Sequence, residues 1–281
     1  MKKILSILIA AGLAVLSVSA QETEKKQYLP EEGDWAIGFD ASPVLEYVGN
    51  LFNGNMNNTL EAIGGDPVIP MGKTAFNNPT VSLMGKYMLT DELAVRANIG
   101  VRLNNDNTAT YVADDKATLL DPLSEAKVID YKNTRTTEVY LTAGAEYRVG
   151  KKRVQGVFGG GILFGLDKQL ATYTYGNELT PINNDGYRTL KEFSAGPTSY
   201  YAGLVGSAGV EFFVAPKISL GAEVNLVAAY RFKQQTYTIS EGYNTSTEVI
   251  EQKTDLVNPP VASFSLGTQN LGGSLYLAFY F

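Results

Sequence analysis

The sequence contains no histidine, no cysteine and a single tryptophan in 281 residues. Without histidine, the commonest general base and the commonest zinc ligand are both missing. Without cysteine there is no disulfide framework, no thiolate nucleophile and no residue for lipid attachment at a leader cleavage point. Long apolar runs are scarce too. One stands at the amino terminus, and no later segment reaches the ~20 apolar residues of a membrane-spanning helix. Nor does any long stretch follow the i, i+3, i+4 spacing of an amphipathic helix.

The amino-terminal run reads as a secretory signal. Lys2 and Lys3 precede an apolar stretch from Ile4 to Leu16, and Ser17-Val18-Ser19-Ala20 supplies small residues where a signal peptidase cuts, so cleavage is expected after Ala20. Losing those two lysines takes the formal net charge from −6 to −8. The acidic balance argues against non-specific nucleic-acid binding. A short polar lead from Gln21 to Gly33 follows, then one domain over 34–281, since no Pro/Ser-rich linker or charge block divides the rest.

What the chain has in abundance is alternation, with 28 glycines and 17 tyrosines. From Leu93 to Leu103 every odd position is apolar, while even positions carry Ala, Arg, Asn and Gly. The same pattern runs through Val139 to Val149, Tyr200 to Phe212, Ile218 to Phe232 and Leu271 to Phe281. An apolar face about ten residues long, opposite glycines and isolated charges, suits strands with lipid on one side and a packed polar lumen on the other. Connections alternate in length: short turns at Thr90-Asp91-Glu92, Gly150-Lys151-Lys152 and Ala215-Pro216-Lys217, and long loops over 105–134, 166–198 and 234–263. The expectation is an all-β, transmembrane, antiparallel up-and-down barrel of eight strands, the first two near 34–46 and 79–89. Ten strands is the alternative, because residues 234–251 have high β-propensity; their polar outward parity argues for a hairpin above the membrane.

Aromatics at matching heights form two expected girdles. Trp35, Tyr87, Tyr147, Phe212 and Phe279 lie near the short turns, and Tyr47, Phe164, Tyr200, Tyr230 and Phe232 near the long loops. Inward charges Asp40, Lys86, Arg96, Glu146, Glu211 and Glu223 fall in one layer four to seven residues above the short turns, counted along the sequence. Paired filling of a narrow interior is the expected role, a gate the alternative. Pro43 predicts a bulge or an early end to the first strand. The parity change between Leu266 and Leu271 predicts a bulge near Gly267 or a strand that begins about Asn270.

The final segment, Gly273-Ser274-Leu275-Tyr276-Leu277-Ala278-Phe279-Tyr280-Phe281, alternates and ends on Phe. It resembles the terminal signal of the bacterial outer-membrane β-barrel superfamily, in the size class of outer-membrane protein X and the transmembrane domain of outer-membrane protein A. That resemblance implies residence in a Gram-negative outer membrane, with its lipid as surroundings. It also implies presentation of Leu275, Leu277, Phe279 and Phe281 to the barrel assembly machinery. The expected function is structural or interactive, with long outer loops engaging a surface partner or membrane complex; a small pore or transporter is the alternative.

No catalytic, cofactor-binding or metal-binding residues are expected. Enzymes among such barrels set a His beside Ser or Asp, and this chain has none. The adjacent acids Asp114-Asp115 and Glu31-Glu32 read as solvated surface. Residues 104–107 and 183–186, rich in Asn and Asp, read as turns without full EF-hand spacing, and Gly159-Gly160-Gly161 lacks a phosphate-loop pattern.

Overall fold

Successive residues of a strand point to opposite faces, so the alternation described above leaves each strand with one face to bury. The computed structural model describes residues 27–40, 81–150, 152–181, 183, 186–193 and 198–281, with the side chains of Asp40, Val81 and 268–271 outside that set. The signal segment, Pro43 and Tyr47 lie outside the described residues. Eleven strands and one short helix are described: β1 Trp35–Asp40, β2 Val81–Met88, β3 Leu93–Ala113, α1 Asp115–Leu120, β4 Lys127–Val149, β5 Val154–Thr174, β6 Arg188–Glu192, β7 Ser199–Ala215, β8 Ile218–Lys233, β9 Thr236–Asn244, β10 Val249–Asn258 and β11 Val261–Tyr280.

Eight of these close a ring. Antiparallel ladders join β1 to β2, β2 to β3, β3 to β4, β4 to β5, β5 to β7, β7 to β8, β8 to β11, and β11 back to β1. Closure removes the open edges that a flat sheet would expose. The ring keeps apolar groups outside: Trp35, Ile37, Phe39, Leu83, Val95, Ile99, Leu141, Phe158, Ile162 and Leu204 are all exposed. Of the expected girdle residues, Trp35, Tyr147, Phe212, Phe279, Phe164, Tyr200, Tyr230 and Phe232 stand exposed on this face. Tyr87 is half-buried, its ring 4.7 Å from that of Trp35.

Two apolar clusters bracket the interior. Near the short turns Ala36, Met84, Met88, Ala94, Phe213, Tyr276, Ala278 and Tyr280 form a floor, against which Tyr28 and Leu29 pack. The described part of the expected polar lead, residues 27–33, is therefore docked across this end. The Lys217 N–H donates to the Tyr28 carbonyl (3.1 Å), the Lys217 ammonium meets Asp34 at 2.8 Å, and the Arg153 guanidinium lies 3.7 Å from the Tyr28 ring. Higher up, Leu163, Tyr201, Val227 and Ala229 form the second cluster.

Beyond the upper girdle the structure departs from the expected loops. Residues 105–134 are an extension of the β3–β4 ladder, which runs unbroken from Leu93↔Tyr147 to Ala113↔Lys127, with α1 in the connection. The Asn/Asp run at 104–107 thus lies in a strand. A ladder already in register propagates at the cost of ordering one residue pair at a time, and the cross-strand Asn133 to Asn107 bond (2.9 Å) helps it. Within 166–198, β5 continues to Thr174 and β6 pairs with it. Within 234–263, β9 and β10 form a hairpin that joins the ring's sheet through β6. These are extra strands, yet the ring stays at eight. In β11 the register jumps between Leu266↔Ala228 and Leu271↔Leu226, a bulge of the expected kind around Gly267.

Interior bulk is admitted by glycine on the neighbouring strand. A methyl built on Gly221 would overlap the ring of Tyr276, and one on Gly100 the ring of Tyr140. Gly221→Ala should therefore force Tyr276 out of its rotamer and cost about 1–3 kcal/mol. Urea unfolding in detergent micelles should show this as a lowered midpoint, with Gly206→Ala, where the added methyl meets nothing within 4 Å, unchanged.

Candidate functional site

Inward positions on five strands of the ring bring six ionisable groups together just above the floor. Glu146 on β4 stands at the centre. Its carboxylate meets the Lys86 ammonium from β2 at 2.7 Å, the Arg96 guanidinium from β3 at 3.3 Å and Arg148 from its own strand at 3.5 Å. Glu223 on β8 receives both terminal nitrogens of Arg96, at 2.5 and 2.7 Å, in the forked geometry that suits guanidinium and carboxylate. It also accepts from the Ser274 hydroxyl of β11 at 3.1 Å. Glu211 on β7 meets Arg148 at 2.5 Å and Lys86 at 3.6 Å. The Tyr280 hydroxyl donates to Glu211 at 2.8 Å, and the Ser219 hydroxyl donates to it as well.

Burial is nearly complete: the side chains of Lys86, Glu146 and Glu211 are 0%, 1% and 0% exposed. Isolated charges would be expelled from such a place, so survival depends on the balance, three cations against three carboxylates among the described side chains. Aromatic faces complete the shell. Lys86 and Arg96 lie 5.0 and 5.6 Å from the Tyr276 ring, and Arg148 lies 4.9 Å from that of Tyr280.

Five of the six residues expected in the layer, Lys86, Arg96, Glu146, Glu211 and Glu223, are in mutual contact. Asp40 is the last residue of β1, and its side chain lies outside the described set. Sequence reasoning missed Arg148, Tyr276, Tyr280 and Ser219. All four have inward parity, and that was the available signal. Counting height in residues excluded Arg148, two positions from its turn, because the count ignores how far a long side chain reaches along the barrel axis.

Above this layer lies a cavity of about 90 Å³ with mixed walls, its polar part made by Asn98, Thr142, Ser207, Glu223, Asn225 and Ser274. At ~15 Å³ of probe-occupied space per water, it could hold roughly half a dozen waters. Below it, Met88 and Phe213 are both 0% exposed. A second ionic knot sits higher: Asp167 accepts from the Tyr201 hydroxyl at 2.5 Å and from Arg231 at 2.9 Å. Chemically the arrangement is a set of mutually neutralised ions. Among the described residues no group of three or more Asp or Glu is arranged to hold a metal ion.

The fold and lumen define a small antiparallel β-barrel with an ion-paired interior. No family model matches the chain, and no curated protein matches it in sequence. Among solved structures it is similar to the outer membrane protein OprG of Pseudomonas aeruginosa, 12% identical, spanning 91% of this chain and 99% of that one at a TM-score of 0.34. It is also similar to a major outer membrane protein of Thermus thermophilus, 11% identical over 89% and 100% of the two chains, TM-score 0.32. A third is Ail, the attachment invasion locus protein of Yersinia pestis, 11% identical over 89% and 98%, TM-score 0.30.

Removing Glu146 takes one carboxylate from three cations at once and leaves Lys86, Arg96 and Arg148 to share Glu211 and Glu223. Glu146→Ala should lower the free energy of unfolding by about 3–5 kcal/mol. Lys116→Ala, which breaks the exposed pair with Glu178 (2.8 Å), should leave the urea midpoint where it was, because solvent screens that pair.

Proposed function

We propose that the chain is an outer-membrane β-barrel whose filled lumen is structural and whose projecting outer wall engages a surface partner. The apolar outer face between two aromatic girdles supports the membrane setting, since lipid-facing strands of a closed ring satisfy their backbone within the ladders. The observation that carries the functional half is the wall itself. β3, β4 and β5 run for about ten residues past the upper girdle, ~3.3 Å each, and β6, β9 and β10 widen them into one sheet.

Side chains tie this wall into a fixed shape. Asn177 accepts from the Asp115 N–H (3.1 Å) and donates to the Ala113 carbonyl (2.8 Å), while its own carbonyl accepts from Arg188 (2.6 Å). Arg188 in turn meets Glu241 of β9 at 2.8 Å, and the Asn183 amide donates to Asp115. Asp114 caps α1, accepting from the Ala117 N–H at 3.1 Å. At the tip Leu119, Leu120 and Leu123 stand exposed, the last two at 88%. Apolar side chains held in solvent on a preorganised element are what a binding surface needs, because little ordering entropy remains to be lost on association.

The test is co-purification. With an epitope inserted in the Thr245–Thr247 turn, the protein should fractionate with the outer membrane and retain a partner in fixed proportion in mild detergent. Leu120→Ser with Leu123→Ser should cut that retention at least tenfold without changing the unfolding midpoint. A barrel that emerges alone from native membranes, or retention indifferent to those leucines, would overturn the partner reading. Recovery in the soluble fraction would overturn the membrane one.

A further inference from the structure

The outward face of the wall carries a charge pattern at odds with the acidic chain. In β5 the lipid-side residues are the even ones, Phe158, Ile162 and Phe164, and the same parity continues upward through Leu166 to Lys168. Register places Thr137 opposite Lys168 and Arg135 opposite Leu170, so Arg135 and Lys168 are diagonal neighbours on one face. Such neighbours are roughly 7–8 Å apart, within reach of a shared anion. Lys191 of β6 pairs with Thr172 of β5 and so faces the same way. All three cations are exposed, and none makes an ion pair among the described residues.

The acids of these strands turn the other way. Glu138 and Asp167 face inward to Arg102 and Arg231, and Glu192 accepts from the Tyr173 hydroxyl. Glu241 on β9 is held by Arg188. Three uncompensated cations therefore climb the wall above the upper girdle, Lys168, Arg135 and Lys191 standing level with residues 168, 170 and 172 of β5.

Beneath it, on the same outward face, is an apolar groove of about 440 Å³ lined by Leu141, Phe164, Leu166, Tyr200, Tyr230 and Phe232. Leu166 bounds the groove and Lys168 is the next outward residue, so the two features are continuous along one strand. Apolar below and cationic above is the polarity of a lipid whose chain lies in hydrocarbon and whose phosphate lies at the interface.

We infer that this face is a docking site for a phosphorylated lipid of the outer leaflet. One acyl chain lies against Phe164 and Tyr230, and the phosphate is held by Arg135, Lys168 and Lys191. The inference rests on the membrane reading proposed above. Arginine and lysine supply charge-assisted hydrogen bonds to phosphate oxygens, and the aromatic groove gives the chain a fixed lane instead of bulk bilayer.

Native mass spectrometry of the full chain, extracted from outer membranes into a zwitterionic detergent and titrated with lipid A, tests this. The wild-type protein should retain lipid A at least tenfold better than phosphatidylcholine. The triple variant Arg135→Ala, Lys168→Ala, Lys191→Ala should lose that preference, with an unchanged unfolding midpoint, because all three side chains are exposed. Separately, Phe164→Ala should weaken retention of both lipids. Equal retention by wild type and triple variant, or no preference for lipid A over phosphatidylcholine, would overturn the site while leaving the membrane reading intact. Absence of the wild-type protein from the outer-membrane fraction would overturn both.

Discussion

A ring of eight strands encloses a space about as wide as the side chains that line it, and everything else in this barrel follows from having to fill that space. Purely apolar filling would leave inward faces that look like the outward ones, and register would be poorly specified. Here the choice is ionic. Lys86, Arg96 and Arg148 are matched to Glu146, Glu211 and Glu223, and the contacts cross between β2, β3, β4, β7 and β8. A one-residue slip in any of those strands would send its charge toward the outside and strand its partners. Desolvation makes the cluster a poor source of net stability. Its value lies in the penalty for every arrangement but one.

Filling the lumen also decides where the barrel can act. With Met88 and Phe213 buried at the short-turn end and Tyr28 and Leu29 packed against that cluster, the described residues leave a cavity for a few waters above it. The opposite end is different. There the ladders overshoot the girdle on one side of the ring, and hydrogen bonds from Asn177 and Arg188 weld neighbouring hairpins together. The result is a rigid blade with apolar residues at its tip and cations on its outward face. A scaffold with a fixed interior is well suited to hold such an element.

Much of this was legible in the sequence, because period-two alternation is a direct image of a face buried against something. The ring of eight, the outward aromatics and five members of the ionic layer follow from parity and from counting residues between short turns. The bulge in β11 follows from the parity change after Leu266. Other features escaped for physical reasons. Residues 105–134 look like a loop because Asn, Asp and Thr break up the apolar alternation there, yet pairing with a partner already in register overrides local preference. Residues 188–192 are too short to show a period, and β6 exists because β5 and β9 flank it. Arg148 was lost to a count that treated side chains as points. Tyr276 and Tyr280 were read within the terminal motif, and their inward parity went unused.

The central claim is that the described lumen is a packed, ion-paired core. Single-channel recording of the purified barrel in a planar bilayer tests it most directly. The account predicts a flat baseline across both polarities of applied voltage, with protein insertion verified independently by protease protection of the reconstituted barrel. Steady, ohmic steps from the wild-type protein would contradict it, because ions would then be crossing the layer in which Met88, Phe213 and the paired charges are buried.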